Sequence, residues 1–257
     1  IQQPTAQPRG QYGYYCILLA EACLCLGDYS FACLDDAVEI FRFHEDSTKY
    51  ARAKYLKGWQ LAALGCHHDA QETLMESYAT YIRCLDQGGS ARVLNRLAYV
   101  QLQLGNVDSA IASLLKSAQL YRKVNLPEEA LVVEENMAYL LAMAGRLRDA
   151  AQLYDLIHSQ IEALSPKNLF QFLAMSAFTY TLQGNLAKAH LRLDEAEKLI
   201  GGFARERGIF KENRGLVHFL EGRYADAEKT LMEGLSVALA IAPDSALVSQ
   251  IKRLFAD

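Results

Sequence analysis

Apolar residues recur along the chain at helical spacing, and six short breaks interrupt them at nearly equal intervals. The stretch Val93-Leu94-Asn95-Arg96-Leu97-Ala98-Tyr99-Val100-Gln101-Leu102-Gln103-Leu104 shows the pattern, and Gly105 ends it. The six breaks begin Gly27-Asp28-Tyr29-Ser30-Phe31-Ala32, Gly65-Cys66-His67-His68-Asp69-Ala70 and Gly105-Asn106-Val107-Asp108-Ser109-Ala110. They continue Gly145-Arg146-Leu147-Arg148-Asp149-Ala150, Gly184-Asn185-Leu186-Ala187-Lys188-Ala189 and Gly222-Arg223-Tyr224-Ala225-Asp226-Ala227. The glycines are 38, 40, 40, 39 and 38 residues apart. Two residues after each stands a bulky apolar side chain, His67 excepted, and five residues after each stands Ala. Seven residues before each stands another small residue: Ala20, Gly58, Ala98, Ala138, Ala177 and Gly215.

A glycine that closes a helical stretch suits the left-handed position of a helix C-terminus. Two small residues per repeat, one on each side of that turn, let two helices pack closely antiparallel. The spacing predicts helix pairs over 11–26 with 29–44, 47–64 with 67–85, 90–104 with 107–123, 127–144 with 147–163, 168–183 with 186–200 and 203–221 with 224–242. Gly88-Gly89-Ser90 and Gly201-Gly202 read as turns between repeats. Pro243 and Asp244 start a last helix over 244–256, apolar at Leu247, Ile251, Leu254 and Phe255, which reads as a cap or as the opening of a seventh repeat. Residues 1–10 read as a linker and 11–257 as one domain, with repeats at 11–45, 46–86, 90–124, 127–164, 167–201 and 203–242.

Composition narrows the function. Hydrophobic residues at 51% and charged ones at 22% are globular values, and 5 prolines with 16 glycines leave little room for an all-β fold. A net charge of −4 excludes a nucleic-acid binder working through a basic surface. No apolar run approaches a membrane span, and the polar, Pro-bearing start does not read as a signal peptide. Opening at Ile1, the chain reads as part of a longer protein. All six cysteines (Cys16, Cys23, Cys25, Cys33, Cys66 and Cys84) fall in helical stretches of the first 84 residues, as buried, reduced thiols of a cytoplasmic protein would. Cys66-His67-His68 lacks the partner cluster a zinc site needs, so neither a metal nor a cofactor is expected. No nucleophile elbow, zinc-protease motif, phosphate loop or dinucleotide fingerprint is present, and His158, His190 and His218 stand alone in the sequence. The chain does not read as an enzyme.

The small residue, Gly, apolar residue and Ala at these offsets resemble the tetratricopeptide repeat (TPR) family over about residues 11–242, in the long-repeat form of bacterial regulators. The repeats exceed the usual length of about 34. The tryptophan expected early in each first helix is replaced by Cys16, Lys54, Leu94, Glu134, Leu173 and Lys211. The resemblance implies an all-α, right-handed α-solenoid of six repeats plus a C-terminal helix, whose first helices line a concave groove. Six residues before each Gly, the groove file is Glu21, Trp59, Tyr99, Tyr139, Phe178 and Leu216, with four consecutive aromatics. Arg92 and Arg96 lie one turn apart beside it, placed to receive a carboxylate or an acidic side chain. In TPR proteins that clamp a peptide's terminal carboxylate, basic residues occupy these two offsets. Tyr14, Leu18 and Leu56 stand where the rest of that clamp would be. Asn95 and Asn136 could hold an extended backbone, and Glu135 completes the candidate set.

The expected function is a peptide- or protein-binding module, the sensory or interaction part of a larger cytoplasmic regulator of bacterial type, with a small effector as another ligand class. The alternatives are a constitutive scaffold and a self-association module, for which a homodimer is the expected state. Neither direct nucleic-acid binding nor membrane association is expected.

Overall fold

The computed structural model describes residues 9–29, 31–43, 46–199 and 204–241. The linker segment 1–8, Gly201-Gly202 and the last helix at 244–256 lie outside the described residues. Among those described are twelve α-helices, one 3-10 turn and no strand. The helices are α1 (Arg9–Leu26), α2 (Leu34–Phe43), α3 (Ser47–Ala63), α4 (His67–Arg83), α5 (Gln87–Gln103) and α6 (Val107–Lys123). They continue as α7 (Pro127–Met143), α8 (Leu147–His158), α9 (Pro166–Leu182), α10 (Leu186–Glu197), α11 (Ala204–Leu220) and α12 (Tyr224–Ile241). This is the all-α helix-pair architecture expected. The chain divides into two compact units, 1–133 and 134–257.

Every first helix ends alike. Gly27, Gly65, Gly105, Gly145, Gly184 and Gly222 have φ between 75° and 81°. At Gly65 the amide donates to Ala62 O, and the next amide, of Cys66, donates back to Leu61 O, closing a Schellman motif. Nothing stands within 4 Å of a Cβ built on these six glycines, so backbone conformation, not space, demands them. Between repeats Leu85 and Asn125 take the same left-handed conformation without being glycine.

In unit 1, α3 packs on α4 and α5 on α6, while α2 meets α3 and α4 meets α5. A Cβ on Gly58 would lie 2.6 Å from Leu74 Cγ, so the small residue of α3 is needed for that approach. Ala70 and Ala110, each the fourth residue of its helix, are fully buried. Ser77 Oγ donates to Ala51 O and Ser117 Oγ to Ala91 O, both at 2.7 Å, joining each pair by a buried hydrogen bond. In unit 2, α9 pairs with α10 and α11 with α12. Gly215 meets Leu231 as Gly58 meets Leu74, again at 2.6 Å.

Several expectations need correction. In the first repeat Ala32 is exposed, and the buried small residue is Ala37. Helix α2 starts five residues later than its counterparts, so Ala37 is its fourth residue. Gln60 of α3 holds the intervening loop by donating to Tyr29 O and Phe31 O. Arg9 and Gly10 open α1 instead of belonging to a linker. Helix α8 stops at His158, and a 3-10 turn (Ile161–Ala163) follows. Gly88, Gly89 and Ser90 are not a turn but the first turn of α5, capped by Asp86, whose carboxylate accepts from the Gly89 amide at 2.7 Å. Of the described thiols, all free, only Cys16 is buried; Cys23, Cys33 and Cys84 are half-buried and Cys66 is exposed at the turn before α4. Desolvation pushes the Cys16 thiol up to about 12.

The two glycines of α5 should respond oppositely to alanine. A Cβ on Gly89 would stand 2.5 Å from the Tyr81 ring, whereas one on Gly88 meets only Asp86 Oδ1 at 3.6 Å. Gly89→Ala should lose roughly 1–3 kcal/mol by overpacking. Gly88→Ala should be neutral or gain up to about 1 kcal/mol from helix propensity. Urea melts of the two variants beside wild type check this.

Candidate functional site

The −6 file lies where the first helices leave the core. Tyr99 is 46% exposed and Tyr139 38%, while their chain neighbours Ala98, Val100, Ala138 and Leu140 are buried. Trp59 and Phe178 are half-buried between buried neighbours. The alternation follows from pairing: the −7 residue faces the second helix, and the next side chain, about 100° further round, points away from it. Glu21 in the same file is committed within the protein, accepting from Arg52 Nε and Nη2 at 2.7 and 2.6 Å.

Unit 1 gathers the densest chemistry. The Arg96 guanidinium lies over the Trp59 ring, its Cζ 4.1 Å from the centroid, and its Nε is buried without an acceptor. Tyr55 packs against Trp59 with ring centroids 6.2 Å apart. Arg92 is exposed and bears on the Tyr121 hydroxyl of α6 and on Tyr81 of α4. Burial pushes the Tyr81 hydroxyl up to about 12, and that of Tyr121 upward too, so both stay neutral beside the guanidinium. These three tyrosines were not among the expected site residues. A signal was present, since Tyr81 and Tyr121 both stand sixteen residues after a turn glycine. Asn95 is half-buried and engaged in interactions within the protein, and so is Asn136 in unit 2.

Glu135 of unit 2 does not line a surface: it is 3% exposed. Desolvation raises its carboxyl to about 8, partly offset by a hydrogen bond from Gln171. Glu212, at the same offset two repeats later, is 7% exposed and raised by burial to about 7. Tyr154, in the leucine position of α8, is fully buried, and its hydroxyl has no partner. Two of the three histidines that stand alone in sequence acquire partners: His158 Nε2 lies 2.6 Å from Arg192 Nη1, and His190 Nε2 lies 2.6 Å from Glu221 Oε1, whereas His218 Nδ1 is buried without one.

No protein-family model and no curated protein matches the sequence. Solved structures do match. The chain superposes on a Rap protein complexed with Competence and Sporulation Factor at a TM-score of 0.70 with 12% identity, over 93% of this chain and 67% of that one. It superposes on the apo quorum sensor NprR of B. thuringiensis at 0.69 with 13% identity, over 97% and 71%. NprR in complex with its cognate peptide NprX gives 0.71 and 13%, over 97% and 74%. The fold is that of TPR-like repeat proteins.

The buried carboxyls make stability depend on pH. A carboxyl raised above its unfolded value of about 4.3 folds protonated. The stability this allows is complete below that value and is lost as pH rises through about 7–8. Glu135→Gln removes one such group. Its stability advantage over wild type should therefore widen by about 2 kcal/mol between roughly pH 5 and pH 8. Denaturant melts across that range would show a constant gap if Glu135 held no proton.

Proposed function

We propose that this chain is a non-catalytic peptide-binding module acting through the face of its first helices, as the sensory part of a larger cytoplasmic regulator. The observation that carries the reading is the aromatic file. In unit 1 Tyr99 stands 46% exposed and Trp59 half-buried, and in unit 2 Tyr139 stands 38% exposed and Phe178 half-buried, each between buried chain neighbours. Aromatic side chains offer large apolar contact with little conformational entropy to lose, which is why they dominate binding surfaces. Two similar structures hold ligands, one a competence and sporulation factor and the other a cognate peptide, which supports a peptide as the ligand class and a regulatory setting. Peptides selected from a random library on the wild-type chain should lose about tenfold or more in affinity for Tyr99→Ala where they bind unit 1, or for Tyr139→Ala where they bind unit 2. Unchanged affinity for both would remove this face from consideration.

A second reading, self-association, has its own observation. Tyr15, Leu18 and Leu19 of α1 are 58%, 45% and 36% exposed. At the same three offsets Ala53 and Leu56 of α3 and Val93 and Leu97 of α5 are buried and Lys57 and Arg96 half-buried, α3 lying against α2 and α5 against α4. From 12 to 26 the only charged residue is Glu21, already paired with Arg52. An uncharged face built like an inter-repeat surface suits α1 of a second copy, paired about a two-fold axis. Sedimentation should show a dimer at micromolar concentration, and Leu18→Glu with Leu19→Glu should make it monomeric. A wild-type monomer at about 100 μM would end this reading.

A further inference from the structure

The first repeat gathers Tyr12, Cys16, Cys33 and Asp36 in one contact chain that the peptide-binding reading leaves unused. Cys16 lies fully buried within α1, and Cys33 stands half-buried immediately before α2. They are 17 residues apart in sequence and meet where α1 packs on α2. The Cys33 thiol donates to the Cys16 carbonyl oxygen at 3.8 Å, and the two sulfurs are themselves within hydrogen-bonding reach. One turn earlier on α1, the Tyr12 hydroxyl touches the Cys16 thiol and donates to Asp36 Oδ2 of α2 at 3.1 Å. Burial above all, then Cys33 and the Asp36 carboxylate, disfavour a thiolate at Cys16 and hold it protonated. Among the described residues, no group of three His, Cys, Asp or Glu side chains is placed to hold a metal ion, so the pair is left with thiol chemistry.

We infer that Cys16 and Cys33 form a reversible disulfide site, oxidised by a small-molecule disulfide such as oxidised glutathione, which staples α1 to the start of α2. The order of steps follows from exposure, because the oxidant reaches half-buried Cys33 and not sealed Cys16. Cys33 Sγ, as a thiolate, attacks one sulfur of oxidised glutathione. The glutathione S–S bond breaks, one glutathione leaves and takes up a proton, and a Cys33–glutathione mixed disulfide remains. Cys16 Sγ then attacks Cys33 Sγ and loses its proton, and the second glutathione leaves and is protonated in turn. Two protein thiols are oxidised, one glutathione disulfide is reduced to two thiols, and both cysteine protons end on glutathione. Bond formation brings the sulfurs to about 2 Å, a small shift for groups already in contact.

The first repeat is where a staple has most to hold. Helix α2 has 10 residues against 17 in α4 and in α6, and Gln60 tethers the segment before it through Tyr29 O and Phe31 O. Closing a loop between residues 17 apart restricts the opened state and lowers the population in which α2 leaves its neighbours. Oxidation thereby converts the redox state of the surroundings into rigidity of the first repeat.

The test incubates the reduced 257-residue chain with oxidised and reduced glutathione at stepped ratios, blocks the remaining thiols with iodoacetamide and maps the cysteines by mass spectrometry. Cleavage at Glu21, Asp28 and Asp35 puts Cys16, Cys23 with Cys25, and Cys33 on separate peptides. The oxidised chain should carry the Cys16 and Cys33 peptides joined, and excess reduced glutathione should separate them. Cys16→Ala should stop at the Cys33–glutathione mixed disulfide. Cys33→Ser should leave Cys16 unmodified while the chain stays folded, with circular dichroism as the control. In the oxidised wild type, the amides of α2 should exchange with deuterium at least about tenfold more slowly than in the reduced one. Should Cys16→Ala fail to fold, Cys33→Ser carries the comparison, and glutathionylation of its Cys16 in the folded chain would refute the order of steps. A mixed disulfide at Cys33 that never closes, closure onto Cys23 or Cys25, or no reaction at about 10 mM oxidised glutathione each overturns the assignment. Equal exchange of α2 in the two redox states would remove the stapling role.

Discussion

Two helices of a repeat can approach only as closely as the smallest side chain between them allows, and that limit sets the geometry of both units. At Gly58 and Gly215 even a single methyl group would collide with the leucine opposite, and Ala20, Ala98, Ala138 and Ala177 fill the same offset with nothing larger. Close packing of this kind tolerates little sliding, because a shift of one residue replaces a small contact with a large one. The serine-to-carbonyl hydrogen bonds of Ser77 and Ser117 fix the same register in polar terms, deep enough that a slipped pair would leave buried groups unmatched.

Once pairing is fixed, the fate of every other position follows from its angle around the helix. Residues next to the small contact turn outward, and the −6 aromatics become half-exposed without any feature of their own requiring it. The same geometry brings Glu21 onto Arg52 and Trp59 under Arg96, although each pair is separated by more than thirty residues. It leaves Arg92 and Arg96 charged among tyrosines. A buried guanidinium N–H without an acceptor is unfavourable by itself, which makes this part of unit 1 unlike the neutralised surface one repeat earlier.

Unit 2 handles polarity differently. Glu135 and Glu212 are taken out of water with no cation beside them among the described residues, so burial keeps Glu135 largely protonated at neutrality and raises Glu212 to about 7. Tyr154 replaces the leucine found at the same offset in α4, leaving its hydroxyl unmatched in the core. Arg192, with only 6% of its surface exposed, is held by His158 and Glu195 between α8 and α10.

The turn glycines and the small residues that flank them are legible in one dimension, because each answers a local demand: a positive φ in one case, a missing side chain in the other. They determine the helix count, the pairing and the fold class, and through periodicity they place the aromatic file. Irregularities escape such a reading. The late start of α2 is set by Gln60 reaching back from α3, and the helical Gly88-Gly89 by the Asp86 cap and the Tyr81 ring. Burial of Glu135 and exposure of Cys66 are likewise tertiary facts, since a residue's solvation depends on what other segments bring against it. Arg52 and Arg92 look equivalent along the chain. Only the folded structure separates them, because a carboxylate from another repeat pairs with the first and, among the described residues, none pairs with the second.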